Sequence, residues 1–253
     1  MTGTLFLVPN TLDFGVVAEA PPPLSDDLPL GVIRIAARLE HWIAENAKTT
    51  RAFLKRVDMV APLAQTLQSI QIVELPRPQK GAKHAGPAQD LDALLTPALR
   101  GVDMGLISEA GLPAVADPGA AVVEAAHRLG VKVVPLSGPS SLMLALAASG
   151  LNGQSFAFVG YLPVETAERG ARIRELEALS RRLGQTQLVI ETPYRNEALL
   201  EGLLNTLAPG TRLSVSCGLT LPSGWTRTDT VARWRSGKTA IPKDVPAVFC
   251  LLA

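Results

Sequence analysis

Short apolar runs alternate with longer segments whose apolar residues recur at three- and four-residue spacing. Leu5-Phe6-Leu7-Val8 reads as a buried strand ended by Pro9. Over 31–46, Ile33, Ala36, Ala37, Ile43 and Ala44 fall at helical spacing. Gln71 to Leu75 is a strand stopped by Pro76, and Leu91, Leu94, Leu95 and Leu99 stripe a helix. Val102 to Ile107 reads as a strand, 120–129 as an alanine-rich helix, and Val131 to Leu136 as another strand. Such alternation implies a mostly parallel sheet with helices on its faces. Two loops interrupt it. The prolines from Ala20 to Pro29 exclude helix and central strand, and residues 76–87 are rich in proline and glycine.

The second half changes character. Leu142 to Leu146 lies in a short buried helix, and Phe156 to Val159 reads as a strand. A charged helix covers 165–183, Leu188 to Ile190 is a strand, and 195–207 is a helix. Strands then dominate: Arg212 to Cys217, Trp225 to Trp234 and Val245 to Leu252. Late strand density predicts a mixed sheet. The expectation is an α/β protein of two domains, 1–137 and 138–253, joined near Ser137-Gly138-Pro139.

Composition narrows the class. The 253 residues are 47% hydrophobic and 19% charged, which supports a core without a metal or disulfide staple. The formal net charge of +1 supplies no global field for nucleic acid or an anionic membrane. Cys217 and Cys250 form no CxxC, so they are expected as buried thiols. No basic segment precedes the first apolar run, and no apolar stretch has the length of a membrane span. A soluble cytoplasmic protein without a membrane partner is expected.

The usual nucleotide cradles, GxGxxG and GxxxxGK[ST], are absent, as are HExxH and GxSxG. His41, His84 and His127 are scattered, and no metal site is predicted. Two turn clusters follow strands. One is Ser108-Glu109-Ala110-Gly111-Leu112-Pro113-Ala114-Val115-Ala116-Asp117-Pro118-Gly119, where Asp117 is placed to cap the next helix. The other is Ser137-Gly138-Pro139-Ser140-Ser141, where Ser140 is placed to cap. In open parallel sheets ligands bind beyond the carboxyl ends of strands, so these clusters form either a pocket wall or plain βα turns.

The two clusters, with Gly3 to Pro9, Ala44-Glu45-Asn46, Gly160-Tyr161-Leu162-Pro163 and Glu191-Thr192-Pro193-Tyr194-Arg195, resemble the tetrapyrrole methylase superfamily. Its members are class III S-adenosylmethionine (SAM)-dependent methyltransferases. Within it, the sequence is most similar to the 16S ribosomal-RNA cytidine 2′-O-methyltransferase family. The resemblance spans nearly the whole chain and is densest over 102–163. It implies a two-domain enzyme that binds SAM in a cleft between the domains and commonly acts as a homodimer. Carried over by motif, Pro9, Gly111, Leu112, Pro113, Ala116, Ser140, Ser141, Leu162, Leu219 and Pro246 are the implied cofactor-binding residues.

Departures concentrate at 10–29, 46–48, 76–84 and 217–224, the last of which includes Leu219. The cofactor-side motifs survive better than the acceptor-side ones, so inefficient methylation of ribosomal RNA is expected. Methyl transfer needs positioning and exclusion of water, plus a base where the acceptor holds its proton. Glu45 and Glu109 are the candidate bases. Cations group at Arg77, Lys80 and Lys83, and on the 165–183 helix, where glutamates interleave them as on a solvated face. Three functions stay open: an RNA methyltransferase, a small-molecule methyltransferase, and a SAM-binding protein without turnover.

Overall fold

The computed structural model describes residues 2–13, 22–76, 91–237 and 239–253. The cation group at Arg77, Lys80 and Lys83, and His84, lie outside the described residues. The chain divides into two compact units, Met1–Pro139 and Ser140–Ala253.

The first unit contains β1 (Thr4–Val8), α1 (Leu24–Asp27), α2 (Leu30–Arg38), β2 (His41–Ala44), α3 (Ala47–Asp58) and β3 (Gln71–Glu74). These are followed by α4 (Leu91–Leu94), α5 (Thr96–Leu99), β4 (Met104–Ile107), α6 (Ala120–Arg128) and β5 (Lys132–Pro135). All five strands are parallel, in the order β3-β2-β4-β1-β5. Helices cover both faces. Phe6, Val8, Trp42, Ala44 and Ile107 pack with Ile33, Ala36, Phe53 and Leu54 of α2 and α3. Leu5, Ile43, Met104 and Leu106 pack on the other side with Ala98 of α5 and Val122, Ala125 and Ala126 of α6. Strands buried on both faces read as the continuous apolar runs seen in the sequence.

The expected helix over 31–46 is corrected. Trp42 and Ile43 are neighbours, yet each is buried in a different core. Only a strand sends consecutive side chains to opposite faces, so α2 stops at Arg38 and β2 takes His41–Ala44. Asn46 then caps α3, its side chain accepting from the N–H of Lys48 at 2.9 Å and of Thr49 at 3.4 Å. The proline stretch also differs from expectation, since Leu24–Asp27 makes one helical turn. Pro23 and Pro29 stand just before α1 and α2, where a missing N–H costs nothing. The stripe over 91–99 breaks into α4 and α5, with Pro97 opening the second.

The second unit contains α7 (Ser141–Ser149), β6 (Phe156–Phe158), α8 (Thr166–Leu183), β7 (Thr186–Ile190) and a 3-10 turn at Pro193–Arg195. Next come α9 (Asn196–Thr206), β8 (Arg212–Cys217), β9 (Trp225–Thr230), α10 (Val231–Ser236) and β10 (Ala247–Leu252). The sheet order is β6-β7-β10-β8-β9, with β6 and β7 parallel and the other pairs antiparallel. The fold is therefore α/β, with a parallel sheet in the first half and a mixed one in the second. The strand expected over Trp225–Trp234 ends at Thr230, whose hydroxyl accepts from the N–H of Arg233 and caps α10. Val231 and Trp234 both enter the core, at helical spacing. Cys217 and Cys250 are buried free thiols, and burial pushes Cys250 up to about 12.

Candidate functional site

In the first unit every strand runs the same way, so the carboxyl ends share one rim. The register sets Val8 and Ala44 both level with Ile107. Pro9, Glu45 and Ser108 therefore follow three neighbouring strands at the same height. The helix that follows β1 packs on one face and α6, which follows β4, on the other. Adjacent strands whose connections leave in opposite directions open a crevice at their carboxyl ends. Here those strands are β1 and β4.

Asn10 closes that point. Its backbone N–H donates to the Gly111 carbonyl at 2.9 Å and its carbonyl accepts from the Gly111 N–H at 3.2 Å. Its buried side-chain amide donates to the carbonyls of Glu109 at 2.9 Å and Ser108 at 3.3 Å. The side-chain oxygen accepts from the Thr11 N–H at 2.9 Å. The loop after β1 is thus bonded to the loop after β4. Arg56 of α3 secures the far side, pairing with Asp13 at 2.9 Å and donating to the Pro22 carbonyl. Pro9 is buried, and a Cβ at Gly138 would fall 2.2 Å from its ring, so only glycine fits there.

The loop after β4 is wound in a left-handed backbone. Gly111 has φ +65°, Ala114 +64°, Ala116 +63° and Gly119 +128°. Alanine in that region costs of order 1 kcal/mol or more and marks a constrained loop. Gly111 is needed for its φ rather than for space, because an added Cβ would meet Leu12 and Pro139 at ordinary contact distances of 3.4 and 3.6 Å. Leu112 is half-buried, Pro113 buried and Ala116 exposed.

Charge at this rim is acidic. Glu45 accepts from the Glu109 N–H at 3.0 Å. Asp117 does not cap α6, which starts from Gly119 without a side-chain cap. Instead, burial together with the charges of Glu45 and Glu109 raises the Asp117 carboxyl from 3.8 to about 7. Among the described residues no group of acids, histidines or cysteines could hold a metal ion. Ser108 heads the loop with a buried hydroxyl that bonds to nothing among the described residues.

The site residues implied in the second unit sit as follows. Ser140 occupies the N-cap of α7 without a side-chain bond, and Ser141 starts the helix. Leu162 is buried in the main core of that unit. Leu219 is half-buried, and the Pro246 carbonyl accepts from the Gly218 N–H at 3.0 Å. The structure thus gathers Pro9, Glu45, Glu109, Gly111, Leu112, Pro113 and Ala116 on one rim. Sequence reasoning passed over Asn10 and Ser108 and gave Asp117 a capping role.

A family model described as Tetrapyrrole (Corrin/Porphyrin) Methylases matches residues 20–231. The chain belongs to the tetrapyrrole methylase family. Curated relatives carry the name Ribosomal RNA small subunit methyltransferase I. The one from Vibrio cholerae is 38% identical over 47% of this chain and 40% of its own length. The one from Pseudomonas aeruginosa is 41% identical over 41% and 34%, and the one from Halalkalibacterium halodurans 27% over 80% and 60%. The matches thus span from about a third to 60% of these relatives. Among solved structures, uroporphyrin-III-C-methyltransferase from Thermus thermophilus is similar in fold with a TM-score of 0.56. It is 20% identical, over 99% of this chain and 94% of that one. The methyltransferase CobJ gives a TM-score of 0.57 at 16% identity, with the same coverage.

A polar cofactor of SAM's kind fits the residues of the rim. The buried Ser108 hydroxyl has unused bonding capacity, and glycines and alanines line the wound loop beside it.

Proposed function

We propose that the protein is a SAM-dependent methyltransferase acting on RNA. The observation that carries this is the constrained loop 111–119 bonded through Asn10 to the end of β1, in a chain of the tetrapyrrole methylase family. The names of the curated relatives support RNA as the acceptor class. SAM supplies an electrophilic methyl group on a sulfonium. Gly111, Leu112, Pro113 and Ala116 shape the small-residue wall for it beside Pro9, and Asn10 holds that wall in place. Ser140, Ser141, Leu162, Leu219 and Pro246 join the proposal through their motifs. The protein works in the cytoplasm as a homodimer in this reading, on the strength of the resemblance.

A small-molecule acceptor is the second reading. It is favoured by the departures at 46–48 and 217–224, where the ribosomal family's acceptor-side motifs are rewritten. Calorimetry with SAM, followed by radiolabelled methyl transfer to small ribosomal subunits and to protein-free cell extract, separates the two. Label in RNA, located by mass spectrometry of the digest, is the expected result, at a slow rate on ribosomal subunits because the acceptor-side motifs are rewritten. Label only in small molecules establishes the second reading, and SAM binding with no label anywhere leaves a binding protein without turnover.

A further inference from the structure

We propose that Asp117 is the general base of the reaction, the group that takes the proton of an acceptor hydroxyl as its oxygen is methylated. The inference rests on the methyl-transfer reading above and assigns its proton acceptor.

Three observations carry it. Asp117 lies on the same rim as the constrained loop it belongs to, one residue after left-handed Ala116 and two before Gly119, so the backbone over-determines its position. It is free of the structural duties that occupy the other candidates. Glu45 is engaged with the Glu109 backbone, whereas no hydrogen bond or cation among the described residues reaches the Asp117 carboxyl. A capping aspartate would take N–H bonds from the first turn of α6 and become a stronger acid, but that turn has no side-chain cap. Finally, the same loop is headed by Ser108, whose buried hydroxyl has no partner among the described residues and leaves an unfilled polar position there.

The electrostatics follow from this placement. Two charged groups face Asp117: Glu45 after β2 and Glu109 after β4. Burial raises its carboxyl most, and these two negative charges add to that, bringing it to about 7. A base is most effective when its pKa lies near the working pH, because it is then substantially ionised yet still basic. Glu45, which holds a backbone N–H, tunes Asp117 and does not itself take the proton.

The step balances without a further reactant. The hydroxyl oxygen forms its bond to the methyl carbon as the carbon–sulfur bond breaks. The sulfur keeps that electron pair and becomes a neutral thioether. The hydroxyl proton passes to an Asp117 carboxylate oxygen and later to water.

The test compares the wild-type chain with Asp117→Asn and Glu45→Gln. Asp117→Asn keeps the shape and removes the charge. It should lower the methyl-transfer turnover about 100-fold or more while leaving SAM affinity by calorimetry unchanged. Carbon-13 NMR of labelled aspartate should show one carboxyl titrating near 7 that is missing in Asp117→Asn. Glu45→Gln removes one repelling charge. It should move both that titration midpoint and the acidic limb of the pH–rate profile to lower pH, together. Turnover retained in Asp117→Asn overturns the base while the methyltransferase stands, as does an acidic limb that stays put when the midpoint moves. A wild-type chain that binds SAM but methylates nothing overturns both, and one that binds no SAM overturns the function from which the base was argued.

Discussion

Asp117 shows how a residue's chemistry is set by neighbours the local sequence does not display. Asp-Pro-Gly before a helix reads as a cap, but burial first, and then two carboxylates from positions 45 and 109, decide its behaviour. Its pKa is raised above the unfolded value, so the neutral form is favoured on folding. The stability it allows is complete below about 4 and is lost as pH climbs through about 7. Above that range the native state carries a partly buried, repelled charge. Asp117→Asn should therefore melt above wild type at pH 8, by about 2–5 °C once solvent screening is allowed for. The gap should close toward pH 4, where both side chains are neutral; scanning calorimetry across that range measures it. Gly111 teaches the complementary point. Its presence in the motif was legible, but the reason, φ +65° rather than crowding, was not. Gly111→Val should cost about 1–3 kcal/mol and weaken SAM binding. Gly111→Asn, which tolerates the left-handed region, should lose less of both. Denaturant melts and SAM calorimetry on the two variants check this, and equal losses would mean that space matters after all.

At the level of elements, the strands and helices most readable in the sequence were those buried in one simple pattern. β8 was read to its residue limits, and α6 and α8 to within one, because caps or glycines mark their ends. The segment 31–46 misled because a strand buried on both faces has no period of its own, and its apolar residues extended the periodicity of α2. What joins the elements into a site was also hidden, since Asn10 and the loop it holds are about a hundred residues apart. Asn10→Asp tests that joint. A carboxylate cannot donate, so the buried carbonyl of Ser108 and the partly buried one of Glu109 lose their shared partner. The expected loss is about 1–3 kcal/mol in chemical denaturation, with a matching drop in SAM affinity because the loop loses its anchor. A variant with full stability and weakened SAM binding would place Asn10 in contact with the ligand instead.

For the molecule as a whole, the alternation of strands and helices was enough to expect a parallel sheet first and a mixed sheet second, since each follows from which connections are long enough to cross over. Function at this scale depends on charge. The net charge is +1. The longest helix, α8, carries Arg169, Arg172, Arg174, Arg181 and Arg182, but with Glu168, Glu175 and Glu177 among them. Arg172 is spent on Glu175 at 2.7 Å, and Arg169 donates to the Val164 carbonyl. Glutamates thus offset part of the positive charge of this helix, and with a net charge of +1 an RNA acceptor would depend on shape and base contacts alongside charge. Each neutralised phosphate of a single strand contributes roughly 0.7 to the slope of log affinity against log salt. With about three such contacts the slope is about −2, and the Michaelis constant for RNA should rise roughly 20-fold or less between 50 and 200 mM salt. A loss of about a thousandfold over that interval, measured by initial rates at saturating SAM, would reveal a phosphate track that the charge distribution does not predict. A salt-independent Michaelis constant would instead favour a small, uncharged acceptor.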